Sequence, residues 1–128
     1  MLSYASGVSD IPLLGESIGD FFDRICEDFG GHEALVSIHE DKRFTYSQLH
    51  AETVRAARGL MALGVEKGDR VGVWATNRSE WTVAQFATAK IGAILVNINP
   101  AYRLHELEYA LKQSECCELI VGDGFRDS

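Results

Sequence analysis

The sequence has no basic cluster, no cysteine framework and no apolar run of membrane length, and each absence removes a class of function. Its twelve lysines and arginines are scattered from Arg24 to Arg126 against nineteen acidic residues, for a formal charge of −7. Capture of nucleic acid or anionic lipid needs a concentrated positive patch, so neither is expected as a partner. Cys26 stands alone and Cys116 and Cys117 are adjacent, an odd count without C-x-x-C spacing. This points to reduced thiols in a cytoplasmic setting rather than to disulfides or a zinc site. His32, His39, His50 and His105 fall outside any H-E-x-x-H pattern and have no cysteine partner at ligand spacing, so they read as surface or cap-adjacent side chains. The leader "MLSYASGVSDIPLLGESIGD" lacks a basic start followed by an apolar core. No run approaches the roughly 18 to 20 apolar residues of a spanning helix, so no transmembrane segment is expected.

With 46% hydrophobic and 24% charged residues, the composition is that of a globular chain, and 128 residues fit one domain or a piece of one. No internal repeat, low-complexity tract or linker divides residues 1–128. Ser17 can cap a helix with Asp20 three residues on, followed by Ile18, Phe21, Phe22, Ile25 and Phe29 at helical spacing until Gly30 and Gly31. "ALVSIHEDKRFTY" reads as a hairpin turning at Glu40 to Lys42. In "FTYSQL", Thr45 and Gln48 form a capping box, flanked by a hydrophobic staple of Phe44 and Leu49. The helix that follows aligns Leu49, Thr53, Ala56, Leu60 and Leu63, then stops at Gly64, with Val65 placed to fold back in a Schellman contact.

"RVGVWA" reads as a strand, Asn77 to Glu80 as a second capping box, and Trp81 to Ile91 as a helix apolar around most of its circumference, ended by Gly92. "AILVNIN" is the next strand, "LHELEYALKQS" a helix aligning Leu104, Leu107 and Leu111 but starting on a residue that caps poorly, and "ELIVG" a last strand. Strands with continuous apolar content separated by helices predict an α/β fold: a parallel sheet with right-handed crossover helices, preceded by a short N-terminal hairpin. Ligands of such sheets bind beyond the carboxyl ends of the strands, where Asn97, Asn99 and Pro100 lie. Asparagines at a strand end more commonly pair exposed backbone groups, and Pro100 ends the ladder and holds Asn99 extended.

Taken in order, these segments resemble the adenylate-forming synthetases. "FTYSQL" is similar to the (L/F)-T-Y-x-E-L motif of that family, with Gln48 in place of the usual glutamate, and "GVEKGDRVGVWATNRSEW" looks like its next signature block. "AKIGAILVNINPAYRLHELEYAL" matches the form found in fatty-acid CoA ligases, and "YASGVSDIPLLGESIGDFFDR" resembles the leader of the AMP-forming acyl-CoA synthetase branch. The resemblance runs from Tyr4 to about Val121 and implies part of the large N-terminal domain of such an enzyme.

For the complete enzyme it implies attack of a fatty acid carboxylate on ATP to give acyl-adenylate and pyrophosphate, assisted by Mg2+, then displacement of AMP by the thiol of CoA. The family's phosphate loop, of the type S-G-T-T-G-x-P-K-G, its ribose aspartate and its catalytic lysine follow the matched region. No catalytic, cofactor-binding or metal residue is therefore assigned among residues 1–128, and the expected role is scaffold, inactive alone, with the remainder of the enzyme chain as partner. The terminal "GDGFRDS" has Gly122 and Gly124 but no third glycine at dinucleotide spacing.

The rival is a free-standing flavodoxin- or receiver-like module, which needs carboxylates at strand ends where Ala75, Asn99 and Gly122 stand. Three parallel strands alone would leave apolar surface bare, which predicts self-association around Trp81 and Phe86. Phe21, Phe22, Phe29, Trp74, Trp81 and Phe86 are expected in the core rather than against an acyl chain.

Overall fold

The computed structural model describes residues 3–123. In chain order the elements are α1 (Ile18–Asp28), β1 (Glu33–Ser37), β2 (Lys42–Thr45), α2 (Tyr46–Ala62), β3 (Arg70–Trp74), α3 (Ser79–Ile91), β4 (Ile94–Asn97), α4 (Leu104–Ser114) and β5 (Cys116–Val121). β1 and β2 form the antiparallel hairpin, and the parallel sheet has the order β4-β3-β5, so the expected α/β architecture is present. Gly124 and the residues after it lie outside the described residues.

Local chemistry explains most element boundaries. The Asp20 N–H donates to the Ser17 hydroxyl at 3.1 Å and starts α1. At α2 the capping box closes in both directions: Gln48 N–H donates to Thr45 Oγ1 at 3.2 Å, and Thr45 N–H donates to Gln48 Oε1 at 2.9 Å. A cap of this kind contributes roughly 1 kcal/mol. Phe44 packs against buried Leu49 as the staple requires. α2 ends in a complete Schellman motif, with Gly64 N–H on Met61 O, Val65 N–H on Leu60 O and Gly64 at φ 95°. Gly92, at φ 75°, ends α3 in the left-handed conformation.

Several expectations fail at the ends of helices and strands. Leu63 is 66% exposed because it is the C-cap, past the last helical residue, and Ala57 is buried in place of the aligned Ala56, which packs only partly against the core. Phe29 is 46% exposed for the same reason: it caps α1 and meets His32 edge-on instead of entering the core. β4 stops at Asn97, although the Ile98 N–H still reaches Val73 O at 3.1 Å. Leu104 is the first helical residue of α4 and not its cap; Arg103 precedes it, and the Arg103 N–H donates to the Glu106 carboxylate at 3.1 Å.

The start of α3 departs furthest. Asn77 does not cap it, and the N-cap residue Arg78 makes no side-chain cap bond. The acceptor comes instead from the hairpin turn, 39 residues earlier: the Ser79 N–H donates to Glu40 Oε2 at 2.7 Å and the Ser79 hydroxyl to Glu40 Oε1 at 3.1 Å. Ser37 also donates to Glu40 at 2.5 Å, and Lys42 flanks it at 3.3 Å. The adjoining Asp41 takes φ 52°, which folds the turn tightly enough to aim that carboxylate at the helix.

Two apolar clusters flank α3. Phe22, Cys26 and Leu49 join α1 to α2 and take in Leu35 and Phe44 from the hairpin, with Phe22 stacked on Phe86 at 4.1 Å between centroids. Ala57, Leu60, Val65, Val71 and Ala87 fill the space between α2, α3 and the central strand. α1 crosses α3 at Gly19, where an added Cβ would lie 3.1 Å from the Ala89 carbonyl oxygen and from Lys90 Cα, so only glycine fits without moving backbone. α4, by contrast, has no buried residue, and Leu104 and Tyr109 stand in the open. Residues 3–17 are exposed throughout, including Tyr4, Val8, Ile11, Leu13 and Leu14.

Two predictions follow from these contacts. Thr53 is fully buried and its hydroxyl has no hydrogen-bond partner among the described residues. Thr53→Val keeps the shape and removes the orphaned group, so it is expected to stabilise the chain by about 1 kcal/mol in urea titration; a loss of stability of that size would show the hydroxyl to be satisfied. Glu40 is held down to about 2 because the Ser37 hydroxyl and the Ser79 backbone N–H both favour its charged form. A carboxyl lowered on folding stabilises above its unfolded value and loses that contribution as pH falls through the folded one. For Glu40 the loss runs from about 4.5 down to about 2. Glu40→Gln should therefore be less stable than the parent at pH 7, the gap closing over that window; equal stability at pH 7 would contradict the cap.

Candidate functional site

The carboxyl edge of the parallel sheet is where an α/β fold presents ligand-binding groups. The structure brings the strand-end asparagines there but commits one of them to its own turn. Asn99 Oδ1 accepts from the Ala101 N–H at 2.9 Å, and the Asn99 carbonyl accepts from the Trp74 indole at 3.2 Å and from the Tyr102 N–H at 3.0 Å. This is the backbone-pairing role, set just before and after Pro100. Asn97 lines one end of an open groove of about 440 Å³ between α3 and β4, with Trp81, Gln85, Thr88 and Leu95 along it. A second hollow of about 240 Å³ lies beyond the ends of β3 and β5, between Ala75, Arg78, Trp81 and Gly122.

Helix N-termini at such an edge are the usual seats for phosphate, since their free N–H groups and dipoles favour an anion. Here a carboxylate of the chain itself bonds one N–H at each. Glu40 occupies the start of α3 and Glu106 the start of α4, so a phosphate arriving at either would meet a carboxylate already in place. Glu80, in the first turn of α3, adds a further negative charge: burial raises its pKa, but its own backbone N–H, Arg78 and Lys42 outweigh that and keep it low. Among the described residues no group of three or more histidine, cysteine or acidic side chains converges as a metal would require.

One polar cluster was not legible in the sequence. Lys90 Nζ donates to both oxygens of Asp23, at 2.5 and 2.6 Å, and His50 Nε2 lies 2.9 Å from Asp23 Oδ1. The three come from α3, α1 and α2, so the cluster ties the helices together at one point. Burial pushes Asp23 upward, but the hydrogen bonds from Lys90 and His50 overcome it and hold the carboxyl below its usual value. His50 is thus a hydrogen-bond partner of the Asp23 carboxylate and not a bystander. Cys26, buried at the same junction, has its thiol raised by burial and by Asp23, which makes it a poor nucleophile. These residues are 27 and 40 positions apart from His50, and no spacing rule connects them.

Aromatic placement is mixed. Phe22 is core, as expected, with half-buried Phe86 stacked on it, while Phe21 is half-buried beneath the Arg24 guanidinium, 4.9 Å from its ring centre. Trp81 is half-buried and donates to the Ala75 carbonyl at 3.2 Å. No described helix is long and apolar enough to cross a membrane.

Comparison with known proteins places the chain in a family. The chain is 42% identical over 125 residues to medium-chain acyl-CoA ligase ACSF2, mitochondrial, of Rattus norvegicus, covering 98% of this chain and 20% of that protein. It thus spans about a fifth of the length of the curated relatives it matches. The inhibitor-bound N-terminal domain of FACL13 from Mycobacterium tuberculosis superposes with a TM-score of 0.81 at 33% identity, over 84% of this chain and 27% of that one. A Mycobacterium tuberculosis fatty acyl CoA synthetase gives the same score and identity, over 84% and 21%. A free-standing flavodoxin- or receiver-like module is not favoured. The profile of the AMP-binding enzyme family matches residues 22–127, and with the ordered motifs, the sheet order and the superposed N-terminal domains this establishes that the chain belongs to that family.

Proposed function

We propose that residues 1–128 are a framework portion of the large N-terminal domain of a fatty-acid CoA ligase, an enzyme of lipid metabolism. In the complete enzyme the reaction joins a carboxylic acid to CoA with conversion of ATP to AMP and pyrophosphate, through an acyl-adenylate, and Mg2+ accompanies the nucleotide. The partners of this portion are the rest of its own chain and, through it, fatty acid, ATP and CoA. A cytoplasmic location belongs to the same reading; the rat relative is named as mitochondrial.

The observation that supports a framework role is that Glu40 and Glu106 each bond an N–H at a helix N-terminus of the sheet's carboxyl edge. An anion site cannot share those N–H groups with a carboxylate already bonded to them. What these residues supply instead is a rigid set of packed helices and strands on which nucleotide-binding groups elsewhere can be held. Medium-chain acids are the first substrates to test, from the name of the rat relative.

The enzyme containing these residues, expressed at the length of its relatives, is expected to catalyse acid-dependent exchange of pyrophosphate into ATP, while the 128-residue chain alone gives none. Exchange by the short chain would refute the framework assignment. The short chain is also expected to bind apolar dye and to grow in mass with concentration through its open groove and the bare face of α4. Light scattering that gives a constant monomer mass, without dye uptake, would count against that.

A further inference from the structure

The leader and the groove beside α3 are two apolar surfaces left in solvent, and they meet at one residue. Tyr4, Val8, Ile11, Leu13 and Leu14 are between 64% and 104% exposed. Ile18, the first residue of α1, ends that stretch and also lines the groove of about 440 Å³ between α3 and β4. The groove is apolar along Trp81, Ala89 and Leu95, its polar lining includes the amides Gln85 and Asn97, and among the described residues no charged side chain lines it.

The stretch of leader nearest the groove matches it in kind. Residues 11–15 carry no charge. Burial of backbone is opposed by unpaired N–H and C=O groups, and here several are already accounted for. The Ile11 N–H donates to the Ser9 hydroxyl at 3.2 Å, that hydroxyl donates to the Ile11 carbonyl at 3.1 Å, and Pro12 has no N–H. The N–H groups that remain belong to Leu13 and Leu14, and amide side chains such as Gln85 and Asn97 can accept from them and donate to their carbonyls.

The base of the leader is fixed. Glu16 is ion-paired with Arg24 of α1, and the Ser17 hydroxyl accepts from the Asp20 N–H at 3.1 Å. Gly15 lies between these anchors and Leu14, with nothing within 4 Å of the place a Cβ would take, so the chain can turn there unobstructed. Four extended residues reach about 14 Å, which brings Leu14 and Leu13 over the groove from Ile18. A segment tethered so closely meets the groove at an effective concentration on the order of millimolar, which a separate copy of the chain matches only at that concentration.

We propose that residues 11–14 form a strap that pivots at Gly15 and closes over the groove between α3 and β4, laying Leu13 and Leu14 against Trp81 and Leu95. The strap governs what else uses the groove: apolar dye and a second copy reach it only while the strap is open.

Methyl NMR on the 128-residue chain tests it. The Leu13 and Leu14 methyl groups should give nuclear Overhauser contacts to the Trp81 indole and to the Leu95 methyls, and these should persist on dilution. Their absence would overturn the proposal, and so would contacts that arise between a labelled and an unlabelled copy, the mark of a neighbour's leader. Should the short chain give no dispersed spectrum, the same contacts in the longer enzyme decide. Leu13→Asp combined with Leu14→Asp alters two exposed positions and should leave the far-ultraviolet circular dichroism unchanged. That variant should take up more apolar dye than the parent and move tryptophan emission to the red, while Leu13→Ile with Leu14→Ile should behave as the parent. Equal dye uptake and emission in the aspartate variant and the parent would sink the strap.

Discussion

The carboxylate of Glu40 lies where a bound anion would otherwise neutralise the start of α3, and much of the arrangement depends on it. α3 is the helix against which α1, α2 and the parallel sheet all pack, so the position of its first turn sets the position of both apolar clusters. The hairpin gains as much as the helix. Ser37 donates to the same carboxylate, and the tight turn at Asp41 is worth its unusual backbone because it delivers that group. A two-stranded hairpin has little stability of its own, and here one end is anchored on a helix and the other face on Leu49 and Phe22.

What could be read from sequence was whatever is decided within a turn of chain. The Thr45 capping box, its staple and the Gly64 Schellman motif are each complete within six residues, and each formed as expected. The parallel sheet was legible because strands buried on both faces must be apolar without alternation. What failed was decided at a distance. Asn77 has the right chemistry to cap α3, but Glu40 arrives from the hairpin as a charged acceptor bonded to both the N–H and the hydroxyl of Ser79. The Asp23, Lys90 and His50 cluster likewise assembles from three helices, and a sequence pattern sees only an acid, a base and a histidine far apart. Phe29 and Leu63 kept helical spacing but fell past the helix ends, where spacing no longer says which way a side chain points.

The three parallel strands end at Trp74, Asn97 and Val121, and none of these is a carboxylate, base or nucleophile. The structure adds that the backbone groups there are also committed, through Asn99 to its own turn and through Glu40 and Glu106 to the two helix starts. The polar chemistry of these residues is spent on holding shape. That is consistent with a chain that spans about a fifth of the length of the curated relatives it matches.

The hairpin turn has one more consequence, in the order of events during synthesis. Translation releases Glu40 well before Ser79, and α2, with its self-contained caps, can fold in the interval. When α3 emerges, the carboxylate that completes its first turn has already been synthesised, and the helix and the hairpin can fix one another.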